Sequence, residues 1–297
     1  MMRDSFSSFH PLNNLIYFML VIGFSLAFNN PLAQGISLVS ACIYAITANG
    51  KKSGSFILKY CLPTVFITAL INPAFNHRGA TVLLYIGNGT PLTLESVLYG
   101  ISAGIILVTI MVWFVSFSRV MTSDKFIYLF GKIIPAISLV LSMTLRFVPK
   151  FKNQTKSVIE AQRCIGRDIS AGSLWQKTKT VMLVFSIMVT WSLENAVETA
   201  DSMKNRGYGL KGRTAFSIYK FNKKDVYILA WLTFCGLFLF TGGIMSIFNF
   251  GYFPKIGQIT LNFTTFPFYV VFFALCITPV AINVKEELKW KTLISKM

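Results

Sequence analysis

Apolar positions in this chain come in long unbroken runs, not in the alternation of a half-buried strand. The first run, Leu12 to Phe28, gives way at Asn29-Asn30-Pro31 to a second that continues to Ala48. Uncharged runs approaching the ~20 residues needed to cross a bilayer predict a helical hairpin here. Arg3 is offset by Asp4 and no small-x-small cleavage site follows, so the first run is not expected to be a secretory signal. A third run covers Phe56 to Asn72. A fourth, Leu94 to Phe117, has no charge between Glu95 and Arg119, and two more span Val226–Ile247 and Phe266–Ile282. The intervening Pro73–Pro91 stretch is polar and Gly-rich, and reads as a loop. Ile133–Leu145 and Val181–Leu193 are only 13 residues each, which predicts amphipathic helices at a membrane face and not spans.

The expected fold class is therefore an all-α integral membrane protein. It has about six transmembrane helices plus two or three cytoplasmic amphipathic helices. Residues 1–118 form a four-span part, 119–225 a basic cytoplasmic region, and 226–297 a helical hairpin with a tail.

Composition supports this reading: 54% of residues are hydrophobic and 13% charged, about half the charged share of an ordinary soluble chain. The net charge of +17 would suit nucleic acid if it were spread over a soluble fold. Instead, 18 of the 28 Lys and Arg fall between Arg119 and Lys224, the pattern of a cytoplasmic segment beside membrane spans, with some attraction to anionic lipid. No nucleic-acid-binding fold fits around the spans, so nucleic acid is excluded as a partner. Six spans leave only Arg78 and Lys255 outside, which predicts cytoplasmic N- and C-termini in a multi-pass cell-membrane protein. The five cysteines and two histidines show no metal-ligand or redox spacing, so no metal is expected. No Gly-x-x-x-x-Gly-Lys-Ser/Thr loop is present, and no nucleophile–base set suggests an enzyme. No span has an ionisable residue in its interior except Lys59, near an end, a pattern of scaffold and not of permeation path.

The informative block is Arg146–Gly212. On a helix beginning near Pro149, Lys152, Lys156, Glu160, Arg163 and Arg167 share one face, with Phe151, Val158, Gln162 and Ile165 forming a less polar strip nearby. A second helix, Val181 to Arg206, carries an apolar stripe (Leu193, Val197, Ala200, Met203) and an acidic one (Glu194, Glu198, Asp201). The basic and acidic helices can pair with each other or remain two solvated faces. Asn205-Arg206-Gly207 ends the second helix with a glycine suited to a left-handed turn, leaving a guanidinium beside a residue with no side chain. Gly100 and Gly104 form a G-x-x-x-G in the fourth span, suited either to packing an internal helix pair or to meeting a membrane partner.

Leu145-Arg146-Phe147-Val148-Pro149, Glu160-Ala161-Gln162-Arg163, Gly166, Asp168 and Ala200-Asp201-Ser202-Met203-Lys204-Asn205-Arg206-Gly207-Tyr208 resemble the transmembrane T component (EcfT, or cobalt-transport Q-type family) of energy-coupling factor (ECF) transporters. His10-Pro11 resembles the family's opening. The motifs are dense over Arg146–Gly209; elsewhere only hydropathy and span order support the likeness.

The resemblance implies a non-catalytic subunit of an ATP-driven importer of vitamins or metal ions. Its partners would be two ABC-type ATPase subunits, which use ATP and Mg, and a small membrane-embedded substrate-binding (S) subunit. It also implies two coupling helices, each ending in a small-Arg-small motif that docks on an ATPase. Asn205, Arg206 and Gly207 match the second motif apart from Asn in place of Ala. The first departs: Cys164-Ile165-Gly166 stands where Ala-Arg-Gly is common, flanked by Arg163 and Arg167, and the resemblance does not choose between these arginines. Glu160, Glu198 and Asp201 are expected to support the docking helices. The rival reading is a conventional ABC permease that binds its own substrate.

Overall fold

The computed structural model describes residues 5–50, 54–55, 57–86, 90–131, 134–168, 173–210, 219–254, 256–258 and 262–295. The basic residues Lys51, Lys52 and Lys255, used above to argue topology, lie outside the described residues. The chain forms two compact units, one of Met1–Phe126 with Tyr219–Met297 and the other of Ile127–Ile218.

The first unit opens with α1 (Pro11–Ala27) and α2 (Pro31–Asn49). Proline at the first helical position costs no hydrogen bond there, and the residue before it caps each helix. The His10 ring accepts from the Leu12 N–H at 3.3 Å and Asn30 Oδ1 accepts from the Leu32 N–H at 3.1 Å. A π-helical turn at Ile57–Cys61 leads into α3 (Leu62–Phe75), followed by α4 (Leu94–Val120) and the start of α5 (Ser123–Gly131), whose residues from Ile127 belong to the second unit. The unit closes with α8 (Lys223–Ile244) and α9 (Phe266–Ile294).

Between α3 and α4 the structure departs from the expected loop. β1 (Val82–Ile86) pairs antiparallel with β2 (Thr90–Thr93), setting Leu84 opposite Leu92 and Ile86 opposite Thr90. Glu95, fully buried, holds the base of this hairpin by accepting from the Thr81 N–H at 3.1 Å and the Thr81 hydroxyl at 2.8 Å.

The core of this unit is aromatic and apolar, built on Phe6, Tyr17, Phe18, Tyr44, Trp113 and Phe272. Its polar groups are matched between helices. Tyr17 OH donates to the Cys276 carbonyl at 3.1 Å, Trp113 Nε1 to Ser37 Oγ at 3.1 Å, and Ser102 Oγ to Gln34 Oε1 at 2.9 Å. Such pairing matters most where no water can substitute. Three buried charges sit at helix ends. Besides Glu95, Lys125 donates to the Val120 carbonyl at 2.8 Å and to Ser7, and Asp225 accepts the His10 and Asn222 N–H groups at 2.9 Å each. That last contact gives His10-Pro11 a structural task, tying the start of α1 to the start of α8.

Gly100 and Gly104 face α3. A Cβ on Gly100 would lie 2.9 Å from the Thr68 carbonyl oxygen, and one on Gly104 would lie 2.9 Å from Val65 Cα. The motif packs an internal helix pair, because only glycine lets these two backbones approach so closely. Gly104→Leu is expected to destabilise the protein by ~1–3 kcal/mol through overpacking. This would be read as a lowered Tm of the purified chain in detergent, and an unchanged Tm would mean that α3 is not held against α4.

Among the described residues five helices are long and apolar enough to cross a membrane: α2, α4, α8, α9 and α7, the last described below. Four of the six expected spans are thus among them. α1, at 17 residues, is a shorter apolar helix, and the third expected span is covered by the π-turn Ile57–Cys61 running directly into α3. α7 qualifies although its apolar stretch reads as an inner-face helix. The reason is that no charge interrupts it from Thr180 to Leu193, and the helix continues well beyond both ends.

Candidate functional site: the two-helix arm and its glycine hooks

The second unit is built on two long helices, α6 (Pro135–Cys164) and α7 (Leu174–Asn205). α6 does not begin near Pro149 but runs through it. One missing N–H at an exposed position is outweighed by thirty residues of otherwise regular helix. α7 also starts earlier than expected, at a capping box. Ser173 Oγ accepts from the Gln176 N–H at 3.4 Å, and Gln176 Oε1 accepts from the Ser173 N–H at 3.1 Å.

The helices cross antiparallel around one aromatic contact. Phe151 and Trp191 meet edge to face at 5.3 Å between ring centroids, and Lys150 Nζ lies 5.3 Å from the Trp191 ring while donating to Asn195 Oδ1. On the side toward the α6 tip, Phe151, Thr155 and Ile159 face Val184 and Met188 across an apolar groove of about 420 Å³. On α6 this groove is lined by Phe151, Thr155 and Ile159, of which Phe151 belongs to the less polar strip inferred from sequence. On α7 the packed face is Val184, Met188, Trp191 and Asn195, and the stripe containing Leu193 and Val197 stays exposed.

This crossing explains why the basic and acidic faces do not pair. Among the described residues no ion pair joins α6 to α7. The basic run from Lys152 lies on the tip side of the crossing, whereas Glu194, Glu198 and Asp201 lie beyond it. Glu160 instead meets Lys156 at 4.0 Å along its own helix. From the crossing α6 rises a further ~21 Å to Ile165 and α7 a further ~22 Å to Arg206, at 1.5 Å per residue. The tips therefore end two arms of nearly equal length, pointing away from each other.

Both tips close with the same hook. Gly166 has φ +82° and Gly207 φ +75°, in the left-handed region that a Cβ disfavours. At the first, the Gly166 N–H donates to the Arg163 carbonyl at 3.0 Å and the Arg167 N–H to the Gln162 carbonyl at 3.0 Å. At the second, Gly207 N–H donates to Lys204 at 2.9 Å and Tyr208 N–H to Met203 at 3.0 Å. These paired reverse bonds form a Schellman motif at each end. The correspondence places Cys164 with Asn205, Ile165 with Arg206, Gly166 with Gly207, and Arg167 with Tyr208. Ile165 and Arg206 have matching backbones, φ −88°, ψ 7° and φ −83°, ψ 7°.

The two arginines flanking the first hook sit elsewhere. Arg163 folds back onto Asp168, with Nε to Oδ2 at 3.0 Å and a second arm to Oδ1 at 3.5 Å. Arg167 follows the glycine and lines a groove of about 500 Å³ with Gly166, Asp168, Gln176, Lys179 and Thr180. Arg206 is exposed at the end of its helix, at the favourable end of the helix dipole. The crossing residues Lys150, Trp191 and Asn195 went unnoticed in the sequence. The spacing of Val184, Met188, Trp191 and Asn195 (four, three, four) is the signal that points to them.

The first unit turns large apolar side chains outward along α1, α2, α3, α8 and α9, among them Met19, Val39, Phe66, Leu70, Leu237 and Phe240, while its polar groups bond inward. Together with five span-length apolar helices this defines a multi-pass membrane protein. Residues 3–218 match the family described as CbiQ, cobalt transport protein, and the chain belongs to that family. It is 28% identical over 256 residues to the energy-coupling factor transporter transmembrane protein EcfT of Lactobacillus helveticus (strain DPC 4571), covering 80% of this chain and 88% of that one. The similarly named protein of Streptococcus thermophilus (strain ATCC BAA-250 / LMG 18311) is 27% identical over 229 residues, 71% of this chain and 84% of the relative. EcfT 1 of Listeria monocytogenes serotype 1/2a (strain 08-5578) is 34% identical over 112 residues, 37% of this chain and 40% of the relative.

Proposed function

We propose that this chain is the energy-coupling transmembrane subunit of an ATP-driven micronutrient importer of the ECF type. Two ABC-type ATPase subunits bind and hydrolyse ATP with Mg. Their grooves hold the hooks at Ile165-Gly166 and Arg206-Gly207, and the crossed arms carry their motion to a separate membrane-embedded substrate-binding subunit. The chain itself is non-catalytic, with both termini in the cytoplasm. The observation that supports this most is the pair of matching glycine hooks at the ends of two long arms. An ordinary solvated helix end needs no such match, and the small Gly207 beside the exposed Arg206 lets a partner surface approach the helix end closely.

Purification of the tagged chain from native membranes is expected to bring down cassette-type ATPases. The isolated chain should neither hydrolyse ATP nor bind a vitamin or metal-ion cargo. Tight cargo binding by the chain alone would favour a conventional permease. Repeated recovery without any such ATPase would remove the coupling role.

A further inference from the structure

The chain crosses between its two units twice, leaving the first unit after Phe126 and re-entering it at Tyr219. We propose that the segment Ser5–His10, just ahead of α1, is a clasp that ties these two crossing points to each other. Lys125 and Asp225 are its buried anchors and act as positioning residues for coupling. This rests on the energy-coupling reading and extends it, since a pull along either connection arrives first at the clasp.

The contacts that make the clasp all lie within the first unit. On the outgoing side, Lys125 sits in the first turn of α5 and is 5% exposed. Its ammonium donates to the Val120 carbonyl at the end of α4, at 2.8 Å, and to both the carbonyl and the hydroxyl of Ser7. A buried ammonium is tolerated because oxygens replace its water shell, and Ser7 provides two of those oxygens. On the returning side, Asp225 is 3% exposed and closes a capping box with Asn222 at the start of α8. One carboxylate oxygen accepts the Asn222 N–H at 2.9 Å, and the other accepts the His10 N–H at 2.9 Å. The His10 ring meets Phe221 edge to face, with 4.9 Å between centroids.

Between the anchors the backbone is stiff. Ser8 and Phe9 N–H groups bond back to the Ser5 and Phe6 carbonyls at 3.1 and 3.3 Å, forming a 3-10 turn. Phe6 is fully buried in the aromatic core, and its N–H donates to Asn283 Oδ1 of α9 at 3.0 Å. The crossing points are also neighbours: burial, and then the negative charge of Asp124, push the Tyr219 phenol up from its ordinary pKa. Removing either anchor strands the buried groups it holds, so the strut loosens and its far end loosens with it. A residue that merely capped its own helix would loosen that helix alone. That difference separates a clasp from two unrelated caps.

Hydrogen exchange read by mass spectrometry on the full chain in detergent follows the two ends separately. Lys125→Met keeps the length of the stem and removes the ammonium. It is expected to speed exchange about tenfold at Ser123–Phe126 and also at Asn222–Val226, on the far side of the strut. Asp225→Asn should act in the opposite direction along the strut, because its amide presents N–H where an acceptor is needed. Exchange at Ser123–Phe126 should then rise together with that at Asn222–Val226. Phe221→Ala removes an exposed ring and leaves both buried charges in place. It should loosen Ser5–His10 and Ser123–Phe126, and it decides the question for any buried-charge variant that does not fold. Acceleration confined to the substituted end would overturn the clasp.

In proteoliposomes holding the co-purifying ATPases, the same variants should hydrolyse ATP near the wild-type rate while cargo uptake per ATP falls severalfold. Unchanged uptake per ATP with both ends loosened would overturn the positioning role. A wild-type chain that brings down no cassette ATPase would end the coupling reading and the positioning role with it, while exchange alone still decides whether the two ends are joined.

Discussion

Arg206→Glu is expected to abolish ATP-driven uptake while leaving the chain inserted and folded. The turn that ends the helix is made by the backbone. The Arg206 backbone N–H donates to the Ser202 carbonyl at 3.2 Å whatever residue stands there, and Gly207 supplies the left-handed turn. A carboxylate at a helix C-terminus costs only about 0.3–1 kcal/mol through the dipole, too little to unfold a chain anchored in two units. The docking cost is larger. Removing one partner of a buried charge-assisted pair costs ~2–5 kcal/mol, and reversal adds repulsion, so affinity for the ATPase should fall at least ~30-fold. Arg206→Lys should recover only part of this, since an ammonium cannot reproduce a planar two-pronged contact. Uptake into proteoliposomes, with circular dichroism as the folding control, separates the effects. Normal uptake with Arg206→Glu would end the docking role of this residue.

What the sequence allowed one to read follows from which forces act locally. Long uncharged runs specify membrane helices because the bilayer's demand for internal hydrogen bonding depends on length and composition alone. Asn30-Pro31 marked the turn into the second run because a cap and a pre-set φ act within two residues. Gly207 was legible as a helix end for the same reason, whereas His10-Pro11 and Gly166 stood out only through the family resemblance. One local signal went unread. The β1–β2 hairpin was hidden by a composition that looked loop-like, although Val82-Leu-Leu-Tyr-Ile86 followed by Gly-Asn-Gly is a strand-and-turn signal.

The site shows the same division. Periodicity placed Lys152, Lys156, Glu160 and Arg163 on one face of α6, and their exposure agrees with a solvated stripe. It could not say where along its length α6 meets α7, and that register decides everything about pairing. With the crossing at Phe151 and Trp191, the acidic stripe falls on the wrong side to meet the basic one. The basic stripe of α6 and the acidic stripe of α7 thus stay exposed while the helices are held together by aromatic and apolar contacts. Exposed ion pairs contribute under ~1 kcal/mol each, so little stability is lost by leaving them unmade.

Trp191→Ala is expected to uncouple the motor from the load without releasing it. The substitution removes the edge-to-face contact with Phe151 and the cation contact with Lys150 at 5.3 Å, together worth ~1–2 kcal/mol. It leaves both hooks untouched, each ~20 Å away along its helix. Val184 and Met188 still face Thr155 and Ile159, so the arms stay associated but lose the rigid point about which they turn. Both ATPases should therefore bind and hydrolyse ATP at near-normal rates, while cargo taken up per ATP falls severalfold. Phe151→Ala should give the same phenotype, and the double variant should be less than additive by ~0.5–1.5 kcal/mol, the signature of one shared contact. Arms that transmitted force independently would not need the crossing, and uptake per ATP would then be unchanged in all three variants.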